Sequence, residues 1–174
     1  MEVVRIAGID PGLRFTGYGV VNYNGETDEI WVSNCGVAKT PPKIKGIDAI
    51  LDMQNRISEI LNRDCFIESD HCVVEIPAAI YSKTFSSGAM IPVAAVAGGI
   101  LMMVDRDKVI PVYPTVWNES RKKEKTRKIT EEIVGDYENW IYDDMPKAKG
   151  QFEHIIDAVS MALWYMRLNY LEQQ

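Results

Sequence analysis

The chain has 174 residues, a formal net charge of −6 and 47% hydrophobic residues, which is the composition of an ordinary globular domain. These proportions exclude disorder and collagen-like repeats, and the length favours a single domain over residues 1–174 with one hydrophobic core. An acidic chain is a poor candidate for coating nucleic acid over its whole surface, so DNA binding would require a local basic patch.

The first part of the chain predicts a three-stranded meander. Residues 3–9 form a β-branched run, and residues 16–23 and 29–37 are further strands separated by the turn signal Asn24-Gly25. Prolines then interrupt the chain, and a long amphipathic helix follows. It is predicted by apolar residues that recur at helical spacing, namely Ile47, Ile50, Leu51, Ile57, Ile60 and Leu61.

The second part of the chain alternates strands with helices. The pattern predicts, in order, a strand at 71–76, an apolar helix at 88–105, a strand at 109–113, a charged helix at 122–134 and a final helix at 151–170. A meander followed by such alternation predicts an α/β fold with a mixed five-stranded sheet and helices on both faces.

A stretch of 21 uncharged residues, 84–104, is close to the length that spans a bilayer. Its start is polar, Pro92 and the Gly98-Gly99 pair interrupt it, and its many alanines and valines make it only mildly apolar. We therefore expect a buried helix and no membrane association.

The cysteines and the N-terminus indicate a reducing, cytoplasmic setting. Cys35, Cys65 and Cys72 are odd in number and lack C-x-x-C spacing, which argues against a disulfide framework and against a zinc site. The first residues carry Glu2 and Arg5 and lack the long apolar run of a secretory signal.

Three acidic residues break otherwise apolar runs. Asp10 ends the first strand in GIDPG, Glu75 ends a later strand in VVEIP, and Asp157 lies in the last helix in HIIDAVSMAL. Burying an ionised carboxylate is costly without a compensating cation or donor. Three such positions suggest a shared cation, and hard ions such as Mg²⁺ prefer carboxylate oxygens. A pair of such ions can promote in-line phosphodiester displacement.

His154 and three glycines add to this pattern. His154 stands three residues before Asp157, so the two side chains share a helix face, where His154 is a metal ligand or an acid–base group. Gly12 allows a tight turn after Asp10, while Gly17 and Gly19 leave space for a backbone or a phosphate. Taken singly, each residue also has a purely structural interpretation: a turn Asp, a strand-end Glu, a packed helix His or hairpin glycines.

The joint occurrence of GIDPG, TGYGVV, a strand ending in Glu75 and H-x-x-D-A in the last helix resembles the RuvC family of Holliday-junction resolvases. The order and spacing match over residues 3–170. The resemblance implies a ribonuclease-H-like fold, with Asp10, Glu75 and Asp157 binding Mg²⁺ or Mn²⁺ and His154 at a fourth position. We expect two ions per active site.

The segment RKKEKTRK, residues 121–128, holds six cations and one Glu, a local charge of +5. A basic stripe of this kind suits phosphates, although it is also typical of a solvated helix face. Its candidate DNA-binding residues are Arg121, Lys122, Lys125 and Lys128. By resemblance, Lys125 is also a catalytic candidate that steadies the scissile phosphate.

Two further features follow from the resemblance. A second family lysine appears here as Trp117 or Asn118, a divergence that fits a viral or phage member. The loop after Glu75, residues 77–87, would face DNA, and its candidate contacts are Tyr81, Lys83 and Phe85. An aromatic side chain there would stack on an unpaired base.

The favoured function is a metal-dependent endonuclease that hydrolyses phosphodiesters in branched DNA, above all four-way junctions. Two symmetric nicks imply a C₂ homodimer, for which the Ala- and Gly-rich helix at 89–104 is a candidate contact surface. The alternatives are a ribonuclease-H-like nuclease acting on flapped or RNA-containing substrates, a non-catalytic interaction module, and a nucleotide-binding enzyme of the actin and sugar-kinase group.

Overall fold

The computed structural model describes residues 3–77, 87–118, 123–143 and 146–172. Within these ranges the centre of the molecule is a five-stranded sheet of order β3-β2-β1-β4-β5. Its strands are β1 (Val3–Asp10), β2 (Phe15–Asn24), β3 (Glu29–Lys39), β4 (His71–Glu75) and β5 (Val109–Val112).

The first three strands form the predicted antiparallel meander, while β4 and β5 run parallel to β1. The turn between β2 and β3 lies where Asn24-Gly25 predicted it. Asn24 pairs with Glu29, however, so the loop has four residues rather than the two of a tight hairpin. Its left-handed residue is Asp28, with φ of 56°, and not Gly25.

Six α-helices and two irregular turns complete the described part of the chain. The helices are α1 (Ile47–Leu61), α2 (Asp64–Ile67), α3 (Ser87–Met103), α4 (Pro114–Trp117), α5 (Lys123–Val134) and α6 (Lys149–Met166). A 3₁₀ turn spans Tyr137–Asn139, and a π-helical turn, Arg167–Leu171, continues α6. The predicted long helices are confirmed, whereas the two four-residue helices were too short to show a periodicity.

The helices cover both faces of the sheet because the strands are apolar on both faces. On one face, Ala7, Ile9 and Val74 pack against Met53 of α1 and Ile100 of α3. On the other face, residues of the alternate register pack against α4, α5 and α6. Successive residues along β1, and likewise along β4, therefore belong to the cores on opposite faces of the sheet, as expected for strands buried on both sides.

The helix α3 accounts for most of the uncharged stretch, but it is not a membrane span. In the part of the chain that the structure describes, no helix has both the length and the apolar character needed to cross a bilayer. One side of α3 packs into the core through Val96, Ala97 and Ile100.

The outer strand β3 is partly covered by the segment around Tyr142. The backbone of Cys35 accepts from Asp143 N–H and donates to the Ile141 carbonyl. The Asp143 carboxylate also accepts from the Tyr18 hydroxyl at 2.9 Å and pairs with the guanidinium of Arg63. The two backbone hydrogen bonds of Cys35 thus pair groups that an exposed sheet edge would leave free.

The helix α6 lies directly on the backbone of β1 and β2. A Cβ atom added to Gly8 would lie 2.0 Å from the Ala158 carbonyl oxygen, and one added to Gly17 would lie 2.0 Å from that of His154. No side chain fits at such distances. The predicted close approach of a backbone to Gly17 is confirmed, and the approaching backbone is that of the last helix.

We expect Gly17→Ala to lower the free energy of unfolding by about 1–3 kcal/mol, because the new methyl group must displace the backbone of α6. Urea unfolding measures the change. The control is Gly150→Ala on the same helix, where an added Cβ meets nothing within 4 Å, so stability should stay equal or rise by up to about 1 kcal/mol. Equal stability of Gly17→Ala and the unsubstituted protein would contradict this packing.

Candidate active site

Asp10 and Glu75 lie side by side at the carboxyl ends of two parallel strands. The last paired residues of β1 and β4 are Ile9 and Val74, so Asp10 and Glu75 follow at matched positions. Neighbouring strands are about 4.8 Å apart. Because Gly8 and Val73 face α6, the alternation of side chains also points Asp10 and Glu75 toward that helix.

His154 of α6 contacts Asp10 directly. Its Nδ1 lies 2.5 Å from Asp10 Oδ2, and Asp10 is only 7% exposed. The donor and acceptor roles in this contact depend on which ring nitrogen of His154 carries the proton. The contact places the imidazole of His154 directly against the carboxylate of Asp10 at the end of β1.

Asp157 lies one helical turn after His154 and is half-buried. Tyr165, further along α6, packs its ring against His71 at the start of β4, with centroids 5.1 Å apart. The helix rises about 12 Å between Tyr165 and Asp157. The strand extends over nearly the same length, about 13 Å, between His71 and Glu75. The helix thus carries Asp157 back toward the strand end that holds Glu75.

The Glu75 carboxylate has a partner that the sequence did not indicate. Trp117, at the end of α4, donates its indole N–H to Glu75 Oε2 at 2.9 Å. Sequence reasoning noted Trp117 only as a departure from the family pattern. The available signal was its position just after β5, because the carboxyl ends of β4 and β5 meet at the same sheet edge.

The donor set suits a hard divalent cation, since it consists of three carboxylates and an imidazole. The buried carboxylate of Asp10 also needs compensation by positive charge or donors. Across the described ranges, however, no three His, Cys, Asp or Glu side chains already lie close enough together to hold a metal ion. Asp10 is instead hydrogen-bonded to His154, and Glu75 is hydrogen-bonded to Trp117. Metal binding by these residues stays a prediction.

A cleft of about 370 Å³ opens between α5 and α6 beside Asp157. Its lining mixes both charges and comprises Glu124, Arg127, Lys149, Glu153, Ile156 and Asp157. The cleft is large enough for a phosphate group together with water, and its cations lie next to one of the candidate metal ligands.

The basic helix is confirmed in part. Lys125 and Lys128 are exposed on α5 and lie three residues apart, hence on one side of the helix. Arg127 instead has structural partners, since it pairs with Glu131 at 2.9 Å and lies over the Tyr137 ring. The predicted contacts Arg121 and Lys122 lie outside the described residues, as do Tyr81, Lys83 and Phe85 of the loop after Glu75.

The cysteines take no part in this site. All three are free thiols, and burial raises the pKa of Cys72 and, with Asp143 nearby, that of Cys35 to about 12. Thiolate is the nucleophilic and metal-binding form of cysteine. At neutral pH these two side chains are therefore protonated and act as small apolar residues of the core.

The sequence profile of the family described as crossover junction endodeoxyribonuclease RuvC matches residues 6–121, more than half of the chain. The chain belongs to the RuvC family. The match contains Asp10 and Glu75 and ends before His154 and Asp157. The resemblance inferred from the motifs is thereby confirmed at the level of the family.

Curated RuvC relatives match over shorter segments. The RuvC of Neisseria meningitidis is 41% identical over 58 residues, which are 33% of this chain and 32% of the relative. That of Gluconacetobacter diazotrophicus is 31% identical over 102 residues, which are 55% of this chain and 58% of the relative. The chain thus matches less than two thirds of the length of each of these RuvC proteins.

The fold is similar to that of Thermus thermophilus RuvC, solved in complex with a Holliday junction substrate. The TM-score is 0.66 with 22% identity, and the alignment covers 95% of this chain and 97% of that one. At this identity the likeness shows the fold alone. The predicted ribonuclease-H-like architecture, a mixed five-stranded sheet with flanking helices, is confirmed.

Proposed function

We propose that this chain is a metal-dependent endonuclease that cleaves Holliday junctions and related branched DNA by hydrolysing phosphodiester bonds. One observation carries the proposal. In this chain of the RuvC family, Asp10 and Glu75 are the last residues of two adjacent parallel strands, and both side chains lie on the sheet face that α6 covers. Asp157 and His154, both on α6, complete the acidic site.

Asp10, Glu75 and Asp157 would hold Mg²⁺ or Mn²⁺, with His154 as a fourth ligand. We propose two ions per site, which would supply Lewis acidity to the scissile phosphate. The chain's own groups orient the site. His154 fixes the rotamer of Asp10 through Nδ1, and the buried strand ends keep Asp10 and Glu75 in register.

The basic side of α5 would bind the DNA backbone. Lys125 and Lys128 are exposed there, and Asp157 is among the residues that line the cleft between α5 and α6. Phosphates bound along α5 would therefore lie next to the acidic site, where Lys125 would steady the charge of the scissile phosphate. This local patch is how a chain with a net charge of −6 would bind nucleic acid.

The working unit would be a C₂ homodimer, since resolving a four-way junction requires two symmetric nicks. The outer face of α3 supports this proposal. Four of its exposed residues form an uncharged stripe of Ile91, Ala94, Gly98 and Met102, with Ile91 68% and Met102 86% exposed. A helix that is apolar on all sides is ordinarily buried, and the small residues in the stripe permit close approach of a second copy.

We expect Asp10→Asn and Asp157→Asn to slow Mn²⁺-dependent cleavage of a four-way junction at least about 100-fold, because a metal ligand supports several kcal/mol of transition-state stabilisation. Junction binding in EDTA should change little. The control is Asp107→Asn, an exposed carboxylate at the far end of the sheet, which should cleave at the normal rate.

The same assay, run in parallel on four-way, flap, linear and RNA–DNA substrates with gel mapping of the cuts, defines the substrate. Cleavage confined to flaps or hybrids would favour the other ribonuclease-H-like nucleases. Full activity of either Asn variant would remove the proposed site, and absence of any cleavage by the unsubstituted protein would leave a binding module.

We expect Lys125→Ala and Lys128→Ala each to weaken junction binding and to reduce the slope of log K against log salt by about 0.9, because each removes one phosphate contact. Fluorescence anisotropy at several salt concentrations measures the slope. Arg106→Ala is the control, since Arg106 is exposed at the opposite end of the parallel strands. An unchanged slope in both lysine variants would make α5 an ordinary solvated face.

We expect Met102→Glu to convert the dimer to a monomer, because it places a charge in an apolar contact. Sedimentation velocity at micromolar concentration, with and without junction DNA, measures the mass. Ile67→Glu is the control, since Ile67 is 56% exposed but lies on α2, outside the stripe. Monomers of the unsubstituted protein, even on junction DNA, would contradict paired nicking by a dimer.

A further inference from the structure

Trp117 connects the hydrophobic core to one carboxylate of the candidate site. Its indole is 6% exposed and packs in the core on the α6 face of the sheet, while its N–H reaches Glu75 Oε2 at 2.9 Å. The next residue, Asn118, points elsewhere and accepts a hydrogen bond from the Thr126 hydroxyl. Glu75 itself is half-buried.

The segment that carries Trp117 is fixed to the strand that carries Glu75. Glu75 pairs with Val112 in the sheet, and the next residue, Ile76, donates its N–H to the Val112 carbonyl at 2.8 Å. From there the chain reaches Trp117 through one turn of helix that begins at Pro114, whose φ is restricted. The donor and the carboxylate therefore belong to one small rigid unit.

The chemistry of this contact suits a carboxylate that also binds a cation. A carboxylate has about four lone-pair positions on two oxygens, so accepting one indole N–H still permits metal coordination. The indole is a neutral donor. It can orient the carboxylate without cancelling the negative charge that attracts the cation, whereas an ammonium group at the same place would compete with the ion.

We propose that Trp117 is a positioning residue that holds Glu75 in the orientation required for binding a divalent cation. This role rests on the proposed function above. Trp117 acts through Glu75 alone and does not contact DNA. Hydrogen-bond partners of metal-binding carboxylates are generally worth 10–100-fold in metal affinity or activity, which sets the expected size of the effect.

The test is Trp117→Phe, which removes the donor and retains an aromatic core side chain. Mn²⁺ affinity is measured by electron paramagnetic resonance of the free ion, alongside junction cleavage and thermal unfolding. We expect Mn²⁺ binding to weaken by about 10–100-fold. In a Glu75→Gln background the same substitution should cause no further weakening, because the residue through which Trp117 acts is already changed.

The matched control is Trp140→Phe. Trp140 is 7% exposed in the same core and donates its indole N–H to the Gly135 carbonyl at 3.2 Å, away from the acidic residues. The two variants lose the same ring and the same kind of hydrogen bond. Trp140→Phe should therefore match the stability loss of Trp117→Phe approximately and bind Mn²⁺ as the unsubstituted protein does.

Three results would overturn the proposal: normal Mn²⁺ affinity in Trp117→Phe, equal weakening in Trp140→Phe, or further weakening in the Glu75→Gln background. If Trp117→Phe fails to fold, replacement of Trp117 by 3-benzothienylalanine keeps the bicyclic shape and exchanges the N–H for sulphur. If the unsubstituted protein cleaves junctions normally and the Trp117 variants bind Mn²⁺ with unchanged affinity, the role of Trp117 alone is overturned. No Mn²⁺ binding and no cleavage by the unsubstituted protein overturn the proposed function as well.

Discussion

The close contact between α6 and the first two strands is the constraint on which the rest of the structure depends. Gly8 and Gly17 let the helix backbone approach to distances that no side chain would allow. Glycine inside a strand costs conformational entropy, roughly 0.5–1 kcal/mol relative to alanine. That cost is offset by the burial of one face of α6, and the contact brings His154 onto Asp10.

The same contact concentrates negative charge at one edge of the sheet. Asp10 and Glu75 are adjacent, and Asp157 approaches from the helix above them. Each strand-end carboxylate has a hydrogen-bond partner in the protein, His154 for Asp10 and Trp117 for Glu75. These hydrogen bonds reduce the desolvation penalty of the buried Asp10 carboxylate and the half-buried Glu75 carboxylate. They also restrict the rotamers of the carboxylates in the absence of any ion.

The helices on the two faces of the sheet have different exposed surfaces. α5 carries exposed lysines and lines a cleft together with Asp157, while α3 presents an uncharged stripe on the far side of the sheet. Because the sheet separates the two faces, the proposed DNA surface and the proposed dimer surface would not overlap.

The sequence alone predicted the strands, the long helices, the candidate site residues and the family of this protein. β-branched and apolar runs located the five strands and helical spacing located the long helices, because both patterns record which side chains are buried. The breaks in apolar runs at Asp10, Glu75 and Asp157 marked the candidate site, because an acidic residue among buried positions needs compensation. The family followed from the same motifs.

Tertiary structure decided the contacts between residues distant in the chain. The pairing of Nδ1 of His154 with Asp10, and of Trp117 with Glu75, depends on helix placement and strand register, which no local pattern encodes. The short helices α2 and α4 escaped detection for the same reason. Their four residues gain stability from the core they touch rather than from their own periodicity.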